Sequence, residues 1–154
     1  MFLTSHTAAA ILIATKIQNP YLGFILGLLS HFILDIVPHG EGGLFAGNIS
    51  HKQKLLSLAK LATLDFLLAM VLLVSTLYFL KPNSNFVFIA SVSGAILPDF
   101  LWGSIELFKL KFLNWFLVLH HRSHDLLDIV YDIKYGLLVQ GVFIILCLYL
   151  IFPN

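Results

Sequence analysis

The chain has 154 residues, of which 59% are hydrophobic and 11% are charged, and its mean hydropathy is +0.94. Such a composition cannot supply the mostly polar surface of a soluble domain, so lipid is the expected solvent. The net charge of +1 gives no reason to expect nucleic acid as a partner, and the single Cys147 excludes a disulfide framework and a cysteine-based zinc finger. The length predicts a single domain over residues 1–154.

The N-terminal part of the chain predicts a short hairpin of two helices. Residues 7–17 are apolar but too few to cross a bilayer, which takes about 20 residues. Residues 21–37 are slightly short of that length and carry His31 and Asp35. The intervening QNP, residues 18–20, is typical of a turn, so the two segments are expected to pack side by side.

The remainder contains three longer apolar runs, 61–80, 86–103 and 135–152, each about as long as a membrane-spanning helix. Pro98 is expected to bend or end the second of them, because proline removes a backbone donor. Residues 104–134 are amphipathic and predict an interfacial helix. The fold class predicted is an all-α integral membrane bundle of four to five helices, with a short N-terminal hairpin helix and an amphipathic helix on the cytoplasmic side.

The distribution of basic residues predicts the orientation in the membrane. If the hairpin forms, the N-terminus, residues 38–60 and residues 104–134 share one side, which carries seven of the nine basic residues. The other side carries Lys81 and Lys16. The positive-inside rule places the first side in the cytoplasm. The seven residues are Lys52, Lys54, Lys60, Lys109, Lys111, Arg122 and Lys134.

Ionisable groups from four separate segments come out on this same side. His6 begins the first helix, and Asp35 lies near the end of the second. Asp99 lies towards the end of the fourth, and a polar cluster follows at 120–128. Because ionisable groups in or beside lipid are costly and tend to be functional, this convergence predicts a site.

Two short motifs indicate metal ligands. The run SHFILD places His31 and Asp35 four residues apart, on one face of a helix. At that spacing the two can ligate one metal ion, or form a hydrogen-bonded pair at a helix end without a ligand. The run GAILPD adds Asp99 directly after Pro98, which fixes the direction of the carboxylate.

The run HHRSHD is the strongest local signal. Neutral imidazoles three or four residues apart are typical ligands of divalent metals, and arginine suits the capture of a phosphate or carboxylate. The alternative is a polar helix that lies on lipid headgroups. Together with the two motifs above, the run predicts a divalent metal ion, Zn²⁺ first, with Mn²⁺ or Fe²⁺ as alternatives. Its ionisable residues are His120, His121, Arg122, His124 and Asp125.

These motifs resemble those of the YdjM-like membrane-bound metal-dependent hydrolases. The family's S-H-x-x-x-D run matches Ser30, His31 and Asp35. Its L-P-D run matches Leu97–Asp99, and its N-terminal histidine matches His6. Its His-Arg pair, with the histidine that follows, matches His121, Arg122 and His124.

The chain also departs from this family pattern. FLW follows Asp99, where the family has a further aspartate and a histidine, and S-H-x-x-x-D precedes L-P-D instead of following it. An additional His120 adjoins His121, so either could be the ligand. The resemblance implies an integral protein of the bacterial inner (cytoplasmic) membrane, with about four helices, a His/Asp metal centre and hydrolytic activity.

The function expected is a membrane-embedded metal-dependent hydrolase that acts on a phosphoester or lipid-like substrate at the cytoplasmic headgroup level. Asp125 is the candidate general base, and Arg122 the candidate anchor of an anionic substrate. The expected partners are the lipid bilayer and a lipid or lipid-linked phosphoester. The expected metal ligands, with His6 implied by the resemblance, are His6, His31, Asp35, Asp99, His120, His121 and His124.

Two other functions compete with the hydrolase. A metal or proton carrier would use buried histidine and aspartate too, but it predicts polar groups in both halves of the bilayer. The other half offers little beyond Lys16, Gln18 and Gln140. A non-catalytic small membrane protein, anchored by its polar cluster, explains the positions of tryptophan and lysine but not the convergence of four segments.

Overall fold

The protein is described by a computed structural model that covers residues 1–37, 50–124, 126–127 and 133–152, without the side chains of residues 51, 52, 54, 55, 58 and 133. The described residues form α-helices joined by short connections, and no β-strand occurs among them, which confirms the predicted all-α bundle. A 3₁₀ turn at Lys111–Leu113 precedes α5. The helices are α1 (Leu3–Lys16), α2 (Pro20–Asp35), α3 (His51–Leu80), α4 (Asn85–Phe108), α5 (Asn114–His124) and α6 (Ile133–Ile151).

Three of these helices are long and apolar enough to cross a membrane: α3 over Ala59–Leu80, α4 over its whole length and α6 over Lys134–Ile151. Large apolar side chains are exposed along α3 and α6, for example Val71 and Ile145. Such an apolar surface is suited to lipid. The protein is therefore a membrane protein by the character of its helices.

α1 and α2 form the predicted hairpin, and α1 lies at the centre of the bundle. Asn19 caps α2, since its Oδ1 accepts hydrogen bonds from the backbone N–H groups of Tyr21 and Leu22. α1 packs against α2, α3, α4 and α6, and its residues Ala8 and Ile11 are wholly buried. The helix that is too short to span a bilayer is thus enclosed by longer ones.

α2 and α4 cross closely because glycine stands at the crossing in both helices. A Cβ atom at Gly27 would overlap the carbonyl oxygen of Ser91, and one at Gly94 would overlap the carbonyl oxygen of Phe24. Small residues allow this approach between helix backbones in lipid. The crossing brings the Ala95 carbonyl to His31, one turn beyond Gly27, and so positions the site described below.

Pro98 does not end its helix, because α4 continues past it to Phe108. Pro98 is buried and removes one backbone hydrogen bond, a local cost of about 3 kcal/mol. α4 is buried on both sides of the proline, at Ala95 and at Ile105, and this packing outweighs that cost. Asp99 therefore lies inside a continuous helix and not at a helix end.

We expect Gly27→Ala and Gly94→Ala to destabilise the bundle, because each added methyl group forces α2 and α4 apart. Overpacking costs about 1–3 kcal/mol, and a clash with backbone belongs at the upper end. Gly103→Ala and Gly141→Ala are matched controls, since a Cβ at either position meets no atom within 4 Å. Thermal unfolding in detergent would measure the difference, and equal melting temperatures for all four variants would contradict the proposed close crossing.

Candidate metal centre

Polar side chains from four helices meet around the end of α2. Asp35 is the last residue of α2, and His31 lies one turn before it on the same face. α1 contributes a residue of its first turns, α4 one from its interior, and α5 two that are four residues apart. The six side chains are His6, His31, Asp35, Asp99, His120 and His124.

The Asp35 carboxylate is the centre of this group and is fully buried. Its Oδ2 lies 2.9 Å from the Nε2 atom of His31, 3.1 Å from that of His124 and 3.8 Å from that of His120. Its Oδ1 lies 3.2 Å from Nε2 of His6, and 2.6 Å from the α-amino group at the start of the chain. Each oxygen thus faces its own set of nitrogen atoms.

The protonation of His31 can be read from its backbone contact. Its Nδ1 lies 2.7 Å from the carbonyl oxygen of Ala95, and a carbonyl only accepts, so Nδ1 carries a proton. In the neutral ring, Nε2 then presents a lone pair. This lone pair faces the Asp35 carboxylate, and Nε2 of His120 lies 3.4 Å away. Acceptors that face one another in this way require a cation between them, either a proton or a metal ion.

Other buried atoms of the group also lack hydrogen bonds. Both ring nitrogens of His6, Nδ1 of His120 and Oδ2 of Asp35 make no aligned hydrogen bond with any group in the described part of the chain. Buried polar atoms normally have such partners, and each exception needs an explanation. Ligation of a metal ion would explain the inward-facing atoms, because ligands point lone pairs, and not protons, at the ion.

Three of the donor atoms, from His31, Asp35 and His120, lie close enough together to hold one ion, and Asp99 lies beside them. Ligands held tetrahedrally at about 2.1 Å from zinc lie about 3.4 Å from one another. Between His31 Nε2, His120 Nε2 and Asp35 Oδ2 the separations are 2.9, 3.4 and 3.8 Å. Asp99 Oδ1 lies 3.3 Å from His120 Nε2 and 3.8 Å from His31 Nε2. A second set of atoms within ligating distance joins His6 to His31 and Asp99.

The group is closed on one side and open on the other. The side chains of His6, His31 and Asp35 are fully buried, whereas that of Asp99 is 25% exposed. His124 is exposed to a similar degree. These two partly exposed side chains belong to α4 and α5, and the buried His120 of α5 stacks against the rings of Trp102 and Phe116. Of the two aromatic rings, that of Trp102 is exposed at this edge and that of Phe116 is buried.

The structure brings together six of the seven predicted ligands. His121 is exposed and does not join them, so His120 occupies the position that the sequence left open between the two. Arg122 is exposed on the far face of α5, since it lies two residues from both His120 and His124. Asp125 lies outside the described residues.

The sequence pattern missed two residues near the site. Gln140 was expected in the other half of the bilayer, yet its Oε1 accepts a hydrogen bond from the Phe2 N–H at the start of α1. Asp65 lies in the middle of α3 and contacts the same helix end. The sequence does indicate that both need partners: Asp65 is the one acidic residue in the run 61–80 and Gln140 the one amide side chain in the run 135–152, and strongly polar groups within a membrane need partners.

Comparison with protein-family models, with curated proteins and with solved structures finds no match to this chain. The assignment of the site therefore rests on its own residues and their geometry.

We expect His120→Ala to weaken metal binding strongly and His121→Ala to leave it unchanged. Loss of a ligand removes a bond to the ion, and even the loss of a group that only orients a ligand costs about 10–100-fold in affinity. The adjacent positions make a matched pair, since both substitutions remove an imidazole from α5. Competition against a chelator of known affinity measures the effect. Equal affinities in the two variants would show that His120 is not a ligand.

Proposed function

We propose that the protein is a membrane-embedded metal-dependent hydrolase that acts on a phosphoester or lipid-like substrate at the cytoplasmic headgroup level. The observation that carries the proposal is the buried lone pair of His31 Nε2. The Ala95 carbonyl holds the proton on the other ring nitrogen, and Nε2 faces atoms that are themselves acceptors. The resemblance to the YdjM-like hydrolases supports the same function.

The donor set suits a divalent transition metal. Two imidazoles and a carboxylate, from His31, His120 and Asp35, offer a mixed set of nitrogen and oxygen donors, and the Asp99 carboxylate lies 3.3 Å from the His120 ring nitrogen. Zn²⁺ is the first choice, and Mn²⁺ or Fe²⁺ bind the same donor types. Ala95 supplies the outer hydrogen bond that fixes the tautomer of a ligating histidine.

The residues of the chain provide the binding and orientation that hydrolysis needs. A bound divalent ion would activate water and polarise a phosphoryl or carbonyl oxygen. The fully buried side, with His6, His31 and Asp35, keeps bulk water from the ion. The exposed edge, with Asp99 and His124, is where a substrate would enter. Assignment of Asp125 as the general base, and of Arg122 as the anchor of the substrate, stays a prediction.

The surroundings of the opening favour an amphiphilic substrate. Trp102, which is partly exposed, lies beside His120 at this edge. Phe112 and Trp115, on the 3₁₀ turn and the start of α5, are largely exposed. Aromatic side chains of this kind favour the interface between lipid tails and headgroups. A substrate with an anionic head and an apolar tail would meet a matching surface here.

The carrier alternative has less support from the arrangement of the bundle. Towards the opposite end of α1 and α4, the buried side chains are mainly apolar, including Ile11, Ala14 and Val92, with the hydroxyl groups of Ser91 and Thr76 among them. A cleft near Lys16 and Asn83 lies beyond them. A translocation path would need ionisable groups in between, and the described residues of this core provide no buried histidine, carboxylate or lysine there.

The metal and the activity can be tested together. We expect purified protein to contain near-stoichiometric zinc, manganese or iron, and His31→Ala to lose it, with His121→Ala as the control. In detergent micelles, phosphate release from a lipid phosphomonoester should fall about a hundredfold or more with His31→Ala. A water-soluble aryl phosphate should be hydrolysed poorly by the wild type. Protein that is metal-free and refractory to added metal would sink the hydrolase proposal.

The proposed orientation has its own test. In a Cys147→Ala background, we expect Lys111→Cys to react with a membrane-impermeant thiol reagent only from the cytoplasmic side, and Lys81→Cys only from the other side. Both lysines are exposed, whereas Cys147 is buried. Labelling of intact cells, compared with labelling of inverted vesicles, distinguishes the sides. The reverse pattern would place the site on the outer face.

A further inference from the structure

The N-terminus of α1 has no cap of its own. Its N-cap residue is Phe2, whose side chain offers no hydrogen-bond acceptor. The first N–H groups of a helix have no partner within the helix, and in an apolar layer each unsatisfied group costs several kcal/mol. The start of α1 lies inside the bundle, with Ser5, His6 and Thr7 fully buried. Acceptors must therefore come from other helices.

Asp65 of α3 is the first of these acceptors. Its carboxylate accepts hydrogen bonds from the backbone N–H groups of Leu3 and Thr4 and from the Thr4 hydroxyl. The Thr4 hydroxyl also lies 3.2 Å from the Asp65 backbone carbonyl oxygen. Asp65 is 7% exposed, so this carboxylate is nearly buried where it binds the end of α1.

Gln140 of α6 is the second acceptor. Its Oε1 accepts from the Phe2 N–H at 2.8 Å and from the Ser5 hydroxyl at 3.2 Å. Gln140 is also buried. Two membrane-spanning helices that contribute no ligand to the metal centre thus hold the first turn of α1 from two directions.

His6 lies at the fourth position of α1, next to this anchored turn. Its ring stacks on that of His31, with ring centroids 4.1 Å apart, but neither of its nitrogens makes an aligned hydrogen bond. His31 differs, because the Ala95 carbonyl orients its ring. Besides this stacking and the 3.2 Å approach of its Nε2 to Asp35 Oδ1, the position of the His6 ring depends on the backbone of α1, which its end contacts hold in place.

The charge of Asp65 also favours the binding of a metal ion beside His6. A helix N-terminus carries a partial positive charge of about +0.5, which would repel a cation bound beside His6. The carboxylate at that terminus compensates it. Asp65 therefore favours metal binding both through the geometry of His6 and through the local field.

We infer that Asp65, assisted by Gln140, is a positioning residue that holds His6 at the metal centre by capping α1 from neighbouring helices. The inference rests on the proposed metal site, and it adds to that site two residues that bind no metal themselves. Asp65→Asn is the main variant, because it keeps the volume but turns an N–H donor towards the N–H groups of α1. Thr4→Val is a milder variant that removes only the hydroxyl contact.

The first measurement is metal affinity, by chelator competition, together with the absorption spectrum of the Co²⁺-loaded protein. We expect Asp65→Asn to weaken binding about tenfold or more and to change the Co²⁺ spectrum, and Thr4→Val to act in the same direction to a smaller extent. Thr76→Val is the matched control on α3, since Thr76 is buried and its hydroxyl donates a hydrogen bond to the Leu72 carbonyl oxygen of its own helix. Its affinity should stay within about twofold.

The second measurement needs no metal. His6→Cys in a Cys147→Ala background places a thiol at a buried position, and its alkylation rate reports whether α1 stays in place. We expect Asp65→Asn to raise this rate at least tenfold above that with Thr76→Val. An unchanged rate overturns the positioning role, whatever the metal result. A raised alkylation rate in a protein that binds no metal would support the positioning role of Asp65 and contradict the hydrolase proposal.

Discussion

The buried carboxylate of Asp35 is the constraint on which the arrangement of the bundle depends. A charge removed from water destabilises a fold by several kcal/mol unless other groups compensate it. Here the surrounding groups come from helices far apart in the chain: the Nε2 atoms of His6, His31 and His124 lie within 3.2 Å of its oxygens, so a proton or metal ion held between them would compensate the charge. Any rearrangement that moved α1 or α5 away from α2 would leave this charge without partners. The polar centre therefore specifies how the helices pack.

The apolar part of the bundle makes that centre possible. Helices do not associate in lipid through the hydrophobic effect, so close packing and hydrogen bonds must hold them together. The crossing of α2 and α4 at Gly27 and Gly94 places a backbone carbonyl, that of Ala95, on His31. The end of α1 is held by Asp65 and Gln140. Hence each side chain at the centre depends on a contact that a different helix supplies.

Local patterns were sufficient to predict the helices and much of the centre. The four-residue spacings of His31 with Asp35, and of His120 with His124, do place each pair on one helix face, and both pairs point inwards. The choice between His120 and His121 depends on the rotation of α5 about its axis. Packing of α5 on other helices, with Phe116 against Phe32 of α2 and His120 against Trp102 of α4, sets that rotation, and no local pattern contains it.

Other features could not be read from the sequence because they involve partners distant in the chain. Pro98 looks like a helix end when only its missing hydrogen bond is counted, and packing on both sides of it decides otherwise. Asp65 and Gln140 look like isolated polar residues in apolar runs, since the helix that they cap begins more than 60 residues before Asp65.

Access to the centre distinguishes the proposed hydrolase from a carrier more sharply than its donor atoms do. Either function can use buried imidazoles and carboxylates, so ligand identity does not separate them. A carrier must expose its site to each side of the membrane in turn. In this bundle the exposed edge, at Asp99 and His124, lies on the α5 side, and apolar residues such as Ile11 and Val92 fill the interior beyond it. A centre that opens towards one surface suits a ligand that arrives and leaves by the same face, as the substrate and products of an interfacial hydrolase would.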